Sequence, residues 1–227
     1  RIVFLGGAGV STESGIPDFR SAQGLYQKKA YLMPEEILSH TFFHKETAAF
    51  FDFYRANILY PQASPNLAHQ TLASWEREGK LQTVVTQNID GLHQKAGSRK
   101  VLELHGSIYS NHCLDCARKY GLEMILNTQG IPRCPYCGGI IKPDVVLYEE
   151  GLDNDTIEES VRAISQAQVL IIGGTSLAVY PAAGLIDYFR GEALVVINKS
   201  STPRDRNADL LIKEPIGQVF SQIKVNK

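Results

Sequence analysis

Four cysteines in the 227-residue chain form two Cys-x-x-Cys pairs, Cys113 with Cys116 and Cys134 with Cys137, separated by 17 residues. That spacing reads as a four-cysteine zinc ribbon: each pair turns two thiolates toward one ion, and two pairs complete a tetrahedron. A filled tetrahedron leaves no position for a reactive water, so the expected metal is structural. The competing readings are two disulfides or a redox dithiol, but one pair would suffice for a dithiol. Using all four cysteines as two pairs favours zinc.

The other candidate chemistry lies where expected strands end. The apolar run Ile2–Leu5 leads into Gly7-Ala8-Gly9-Val10-Ser11. Glycines after a strand let backbone approach a pyrophosphate, and a following helix start would offer free N–H groups. The full G-x-G-x-x-G pattern is absent, no Gly-Lys-Ser/Thr follows, and a plain tight turn is an equal reading. Thr86-Gln87-Asn88-Ile89-Asp90-Gly91-Leu92-His93 follows the run Leu81–Val85. Its polar side chains suit an amide or sugar hydroxyls, while Asp90 also reads as the cap of the next helix. Leu104-His105-Gly106 offers an imidazole able to take a proton near neutral pH, or a merely structural histidine. Gly173-Gly174-Thr175-Ser176 and Ile197-Asn198 offer small and hydroxyl groups to a phosphate or ribose, or are ordinary turns. Lys142 to Glu150 reads as a linking strand, or as an edge and slot for an extended peptide.

Strands alternating with helices must position these groups. Helices are expected at 34–38, 46–59, 66–78, 153–167 and 217–223, with a short one from Ser11 to Ser14. Strands are expected at 2–5, 81–85, 101–104, 169–172, 194–197 and 209–212. This pattern predicts a Rossmann-like parallel sheet with helices on both faces. It breaks twice. The expected larger, Rossmann-like domain therefore takes residues 1–25, 66–111 and 143–227, and a small domain takes 26–65 and 112–142. The cleft between them is the expected ligand site. Residues Arg20 to Tyr31, polar with scattered Gly, Gln and Lys, read as a mobile loop.

Composition is that of a globular chain, 44% hydrophobic and 21% charged. A net charge of −1 gives no general attraction to nucleic acid or acidic membranes. No apolar run approaches the roughly 18–20 residues that cross a bilayer. The expected location is cytoplasmic and the expected state monomeric.

Taken in order, these motifs resemble the sirtuin family. The matching text is Gly7 to Arg20, Thr86 to His93, Leu104-His105-Gly106, both cysteine pairs, Lys142 to Val146, Gly174 to Leu177, and Ile197-Asn198. The resemblance implies an NAD-dependent protein lysine deacetylase, with protein ADP-ribosyl transfer or longer-chain deacylation as the alternatives. NAD would be a co-substrate: the acyl oxygen attacks the ribose carbon bearing nicotinamide, and free lysine, nicotinamide and O-acetyl-ADP-ribose result. His105 would be the general base, assisted by Asn88 and Asp90. The implied NAD contacts are Gly7, Ala8, Gly9, Ser11, Thr12, Asp18, Phe19, Arg20, Gln87, Asn88, Ile89, Asp90, His105, Gly174, Thr175, Ser176, Asn198, Lys199 and Ile216. Val145, Val146 and Tyr148 would border the acyl-lysine and pair with the substrate backbone. The partner implied is an acetylated protein or peptide.

Two departures matter. Relatives that prefer acidic acyl groups carry Tyr-x-x-Arg, whereas Tyr54 is followed three residues later by Asn57, and Arg55 stands at the wrong offset. Acetyl-lysine is therefore expected over succinyl-lysine. Gly6 also stands where relatives often carry Thr.

Overall fold

The computed structural model describes residues 1–19, 24–25 and 32–223. Arg20 and most of the loop expected after it lie outside the described residues. The strands are β1 (Ile2–Gly6), β2 (Leu81–Thr86), β3 (Val101–Glu103), β4 (Gly106–Cys113), β5 (Lys119–Tyr120), β6 (Ile141–Val145), β7 (Val169–Gly173), β8 (Ala193–Ile197) and β9 (Leu210–Ile212). The helices are α1 (Pro34–Ile37), α2 (His40–Lys45), α3 (Thr47–Asn57), α4 (Leu67–Arg77), α5 (Leu92–Ala96), α6 (Leu122–Leu126), α7 (Asn154–Ser165) and α8 (Ile216–Ser221).

Six strands form a parallel sheet in the order β3-β2-β1-β7-β8-β9. Its central strands are runs of Val, Ile and Leu because both faces are covered. One core packs Leu5, Ile172 and Val196 under α7, and the other packs Phe4, Val84 and Ile171 under α4 and α8. Side-chain caps set the helix starts: Asn66 accepts from the Ala68 N–H at 2.9 Å, and Asp153 from the Thr156 N–H at 2.8 Å.

Register is what positions the site. Gly6 lies opposite Thr86 on one side and Gly173 on the other, and Gly173 lies opposite Ile197. The loops after β1, β2, β7 and β8 therefore leave the sheet at one level. The chain reverses direction across the sheet between β1 and β7, which is where open parallel sheets leave a crevice.

A second, antiparallel sheet runs in the order β5-β4-β6. The eight-residue β4 carries Tyr109, Ser110, Asn111 and His112, and this polar text hides it from a hydrophobicity reading. Beside this sheet lies an aromatic core in which Phe43 meets Phe50 at 5.0 Å and Phe50 meets Phe51 at 5.3 Å, both edge to face. The core also takes in Ile108, Cys113, Cys134, Val145 and Leu147. Among the described residues, the helical segments outside the sequence expectations include α2, α6 and 3-10 stretches over Ala182–Tyr188 and Asp205–Asn207.

The helix expected at 11–14 is corrected. The chain makes two three-residue 3-10 turns there, Ala8–Val10 and Thr12–Ser14. The Val10 and Ser11 N–H groups bond to Gly7 and Ala8 carbonyls within those turns. The site therefore draws nothing from a helix dipole at this point.

Candidate active site

The glycines after β1 act first on protein packing. The Gly9 N–H donates to the Gly174 carbonyl at 2.7 Å. A Cβ on Gly9 would lie 2.8 Å from the Gly174 Cα, and one on Gly7 would lie 2.7 Å from the Thr175 Cβ. Bare backbone here lets the loops after β1 and β7 interlock, and that interlock shapes the floor of the crevice.

Around it runs a chain of polar contacts. Ser11 donates to Asp90 Oδ2 at 2.6 Å and accepts from Asn88 Nδ2 at 3.0 Å. Asp90 Oδ1 accepts the Leu92 N–H at 2.9 Å, but the N-cap of α5 is Gly91, so the reading of Asp90 as the cap is corrected by one residue. Burial raises the pKa of the Asp90 carboxyl, and its two hydrogen bonds oppose that rise. Gln87 Nε2 donates to Thr175 Oγ1 at 3.0 Å. Thr175 is locked in turn to Asn198 by a pair of bonds of 3.0 and 2.9 Å. Glu13 ties the same floor to α8, accepting the Gly217 N–H at 2.8 Å.

His105 sits beside this network, at the exit of β3. Its Nδ1 lies 2.9 Å from the Gln87 carbonyl. A carbonyl only accepts, so Nδ1 carries the proton and Nε2 carries the lone pair. Burial lowers the imidazole pKa, partly offset by that hydrogen bond, so the ring is neutral at pH 7. This is the form a general base needs.

These groups line one cavity of about 590 Å³. Ala8, Gly9, Ser11, Thr12, Asp18 and Phe19 reach it from the first loop, and Gln87, Asn88, Ile89, Asp90 and His105 from the next two. Gly174, Thr175, Ser176, Asn198, Lys199 and Ile216 close the other end. Val145, Val146 and Tyr148 form part of an apolar wall with Leu38, Tyr54, Ile58 and Leu147. Of the expected site residues, Gly7 is not among those lining the cavity and packs against Thr175, and Arg20 is outside the described residues. Leu38, Tyr60, Tyr180 and Glu214 also line the cavity and are absent from the sequence expectations. Nothing in their types or spacing separates them from core or surface residues.

Two expectations about the wall meet the geometry differently. Arg55 donates from Nε to the Ile125 carbonyl at 2.9 Å and from Nη2 to the Gly130 carbonyl at 2.6 Å. Its guanidinium is thus spent on the cysteine module, whereas Asn57 lines the cavity. The N–H groups of Val146 and Tyr148, expected beside the substrate backbone, have partners within the chain. The Val146 N–H already donates to the His105 carbonyl at 2.9 Å, and the Tyr148 N–H to the Leu38 carbonyl at 3.0 Å.

The four cysteine sulfurs all lie within 4.8 Å of one another. The closest pairs, Cys113 with Cys137 and Cys116 with Cys134, stand at 3.4 and 3.7 Å. A disulfide needs about 2.05 Å, whereas thiolates at ~2.3 Å around one tetrahedral ion lie ~3.8 Å apart. Each pair is bent by a tight turn, with the Ala117 N–H on the Cys113 carbonyl and the Gly138 N–H on the Cys134 carbonyl, both at 2.9 Å. The quartet fits a metal ion.

Comparison with known proteins agrees with this arrangement. The Sir2 family model matches residues 7–181. An NAD-dependent protein deacetylase of Clostridium acetobutylicum is 58% identical over 98% of this chain and 92% of its own length. One from Cutibacterium acnes is 53% identical over 98% of this chain and 91% of its own. A Sir2 structure with a p53 peptide and NAD+ superposes with a TM-score of 0.87 at 39% identity, covering 97% of this chain and 90% of that one. Sir2 bound to acetylated peptide gives 0.86 at 38% identity, with the same coverage. The chain is a member of the Sir2 family.

Proposed function

We propose that the chain removes acetyl groups from protein lysines, consuming NAD and one water and releasing nicotinamide and O-acetyl-ADP-ribose. One observation carries this reading: His105, its Nδ1 held by the Gln87 carbonyl and its own carbonyl by the Val146 N–H, stands where the polar residues of the cavity meet its apolar wall. NAD, when bound, supplies a glycosidic bond whose cleavage makes the ribose carbon reactive toward the acyl oxygen. The chain's residues do the rest. The loops of Ala8 to Phe19 and Gly174 to Ser176, with Asn198, hold the dinucleotide. Gln87, Asn88, Ile89 and Asp90 orient its ribose and amide. His105 Nε2 takes a proton from a ribose hydroxyl. The wall of Val145, Val146 and Tyr148 holds the acyl-lysine.

The metal in the cysteine quartet is assigned as zinc, which four thiolates close off from reaction. Its reduced thiolates suit a cytoplasmic protein, and among the described residues no helix is long and apolar enough to cross a membrane. Acetyl is preferred over succinyl because, among the described residues, no guanidinium lines the cavity beside Asn57, and Arg55 is engaged elsewhere. Incubating the zinc-loaded chain with acetyl- and succinyl-peptides, with and without NAD, tests the reading. Acetyl removal that requires NAD is expected. Label from NAD left stably on protein, with no deacetylation, would indicate ADP-ribosyl transfer instead.

A further inference from the structure

Lys142 is a buried cation with no part in the proposed chemistry. It is only 8% exposed and sits on β6, one residue before Pro143. Burying a charged amine is costly unless its protons are taken up. Its Nζ donates to the Val145 carbonyl at 3.2 Å, to the Pro143 carbonyl at 3.3 Å and to Glu150 Oε2 at 3.3 Å. Glu150 Oε2 also accepts the Leu147 N–H at 2.9 Å, and Oε1 meets His40 Nδ1 at 3.1 Å. Glu149, held in a left-handed conformation (φ 75°), accepts the Thr41 N–H at 2.8 Å.

Apart from the bond to Pro143, these contacts converge on residues 145–150. Lys142 grips the carbonyl that ends β6, Glu150 grips the turn that follows, and His40 and Thr41 fasten the turn to α2. The same stretch supplies the apolar wall, and its Val146 N–H bonds to the His105 carbonyl. The polar end of the cavity rests on the other sheet, through Gly9, Gly174 and Asn198, and shares none of these contacts.

We propose that the Lys142–Glu150 ion pair is a positioning device for acyl-peptide: it fixes the wall of residues 145–148 without touching the chemistry, and so sets peptide affinity independently of NAD affinity. The inference rests on the deacetylase reading and names the device that serves its peptide side. A buried pair is strongly coupled. Removing one partner leaves the other charged and unpaired, whereas removing both relieves that cost.

The test uses the zinc-loaded full chain and the variants Lys142→Met, Glu150→Gln and the double variant. KM for acetyl-peptide and for NAD are measured separately, with peptide affinity from fluorescence anisotropy as a second readout. Each single variant should raise peptide KM and Kd about tenfold with NAD KM within about twofold, since lost ground-state binding appears in KM. The double variant should be no worse than the worse single. A general loss of folded protein would lower kcat and move neither KM. That result, or peptide and NAD KM rising together, or additive single effects, would overturn the proposal. If Lys142→Met does not fold, Glu150→Gln and the double variant decide by the same criterion. A wild-type chain that shows no NAD-dependent turnover overturns the deacetylase reading alone, and the anisotropy measurement still judges the clamp.

Discussion

The cysteine module and the strand-edge cavity are each assembled from distant stretches of chain, but different forces hold them. In the module, four sulfurs lie within 4.8 Å of one another, a spacing that fits one ion, and the tight Cys-x-x-Cys turns present them. In the cavity, no single contact dominates. Ser11 serves Asn88 and Asp90, Gln87 serves Thr175 and His105, and Asn198 locks Thr175. The module should therefore fail all at once, and the cavity by degrees.

The sharpest way to break that contrast is to remove the metal. Chelation under reducing conditions, or Cys116→Ser, should abolish turnover and lower the melting temperature, because structural zinc contributes on the order of 10 kcal/mol to folding. Elemental analysis before treatment should find about one zinc per chain. A metal-free chain that melts like the untreated one would contradict the module's dependence on an ion.

A change in the cavity should separate function from folding. His105→Ala should cost roughly a hundred- to ten-thousandfold in turnover, the range of general-base contributions, while the melting temperature holds. Because burial lowers the imidazole pKa, wild-type turnover should persist at pH 7 and decline only below the usual histidine range. One step back from the base, Ser11→Ala strips a hydrogen bond from buried Asp90 and another from Asn88. Leaving a buried acceptor unmet costs about 1–3 kcal/mol, so NAD KM should rise about tenfold or more with peptide KM little changed. An equal rise in both would mean that the two ends of the cavity are not independent.

A gentler test concerns the core behind the cavity. His69 and His93 are fully buried with ring centroids 4.7 Å apart, and burial lowers their pKa values to about 4 and about 3. The charge of His69 further depresses His93. The unfolded chain takes up protons there near pH 6.5, but the folded chain resists them. Stability should be full above that pH and fall as pH drops toward about 4. Urea midpoints of His93→Phe should show a shallower decline than wild type over that window. The smallest effect is expected from Asn57→Arg, which should admit some succinyl-lysine without improving acetyl-lysine turnover.

How much the sequence makes legible follows the same contrast. The module's ligand set is a local pattern, so Cys113 to Cys137 can be read directly. The parallel sheet is equally legible, because β1, β7 and β8 are apolar runs bounded by turn residues. The cavity's residues are readable as strand-end motifs, but their partners are not. Ser11 and Asn88 stand 77 positions apart and Gln87 and Thr175 88 apart, and only the strand register brings them together. The wall is hardest. Tyr54 and Leu38 look like core residues because they are also core. The glycines after β1 read as room for a phosphate, whereas much of their bareness is required by the contact of Gly9 with Gly174.

The central claim is that one cavity couples NAD cleavage to lysine deacetylation. Nicotinamide, free lysine peptide and O-acetyl-ADP-ribose should be quantified from a single reaction of the zinc-loaded chain with acetyl-peptide and NAD. The account predicts that all three appear in equal amounts and that none forms when NAD is withheld. Free lysine peptide produced at the same rate without NAD would contradict it.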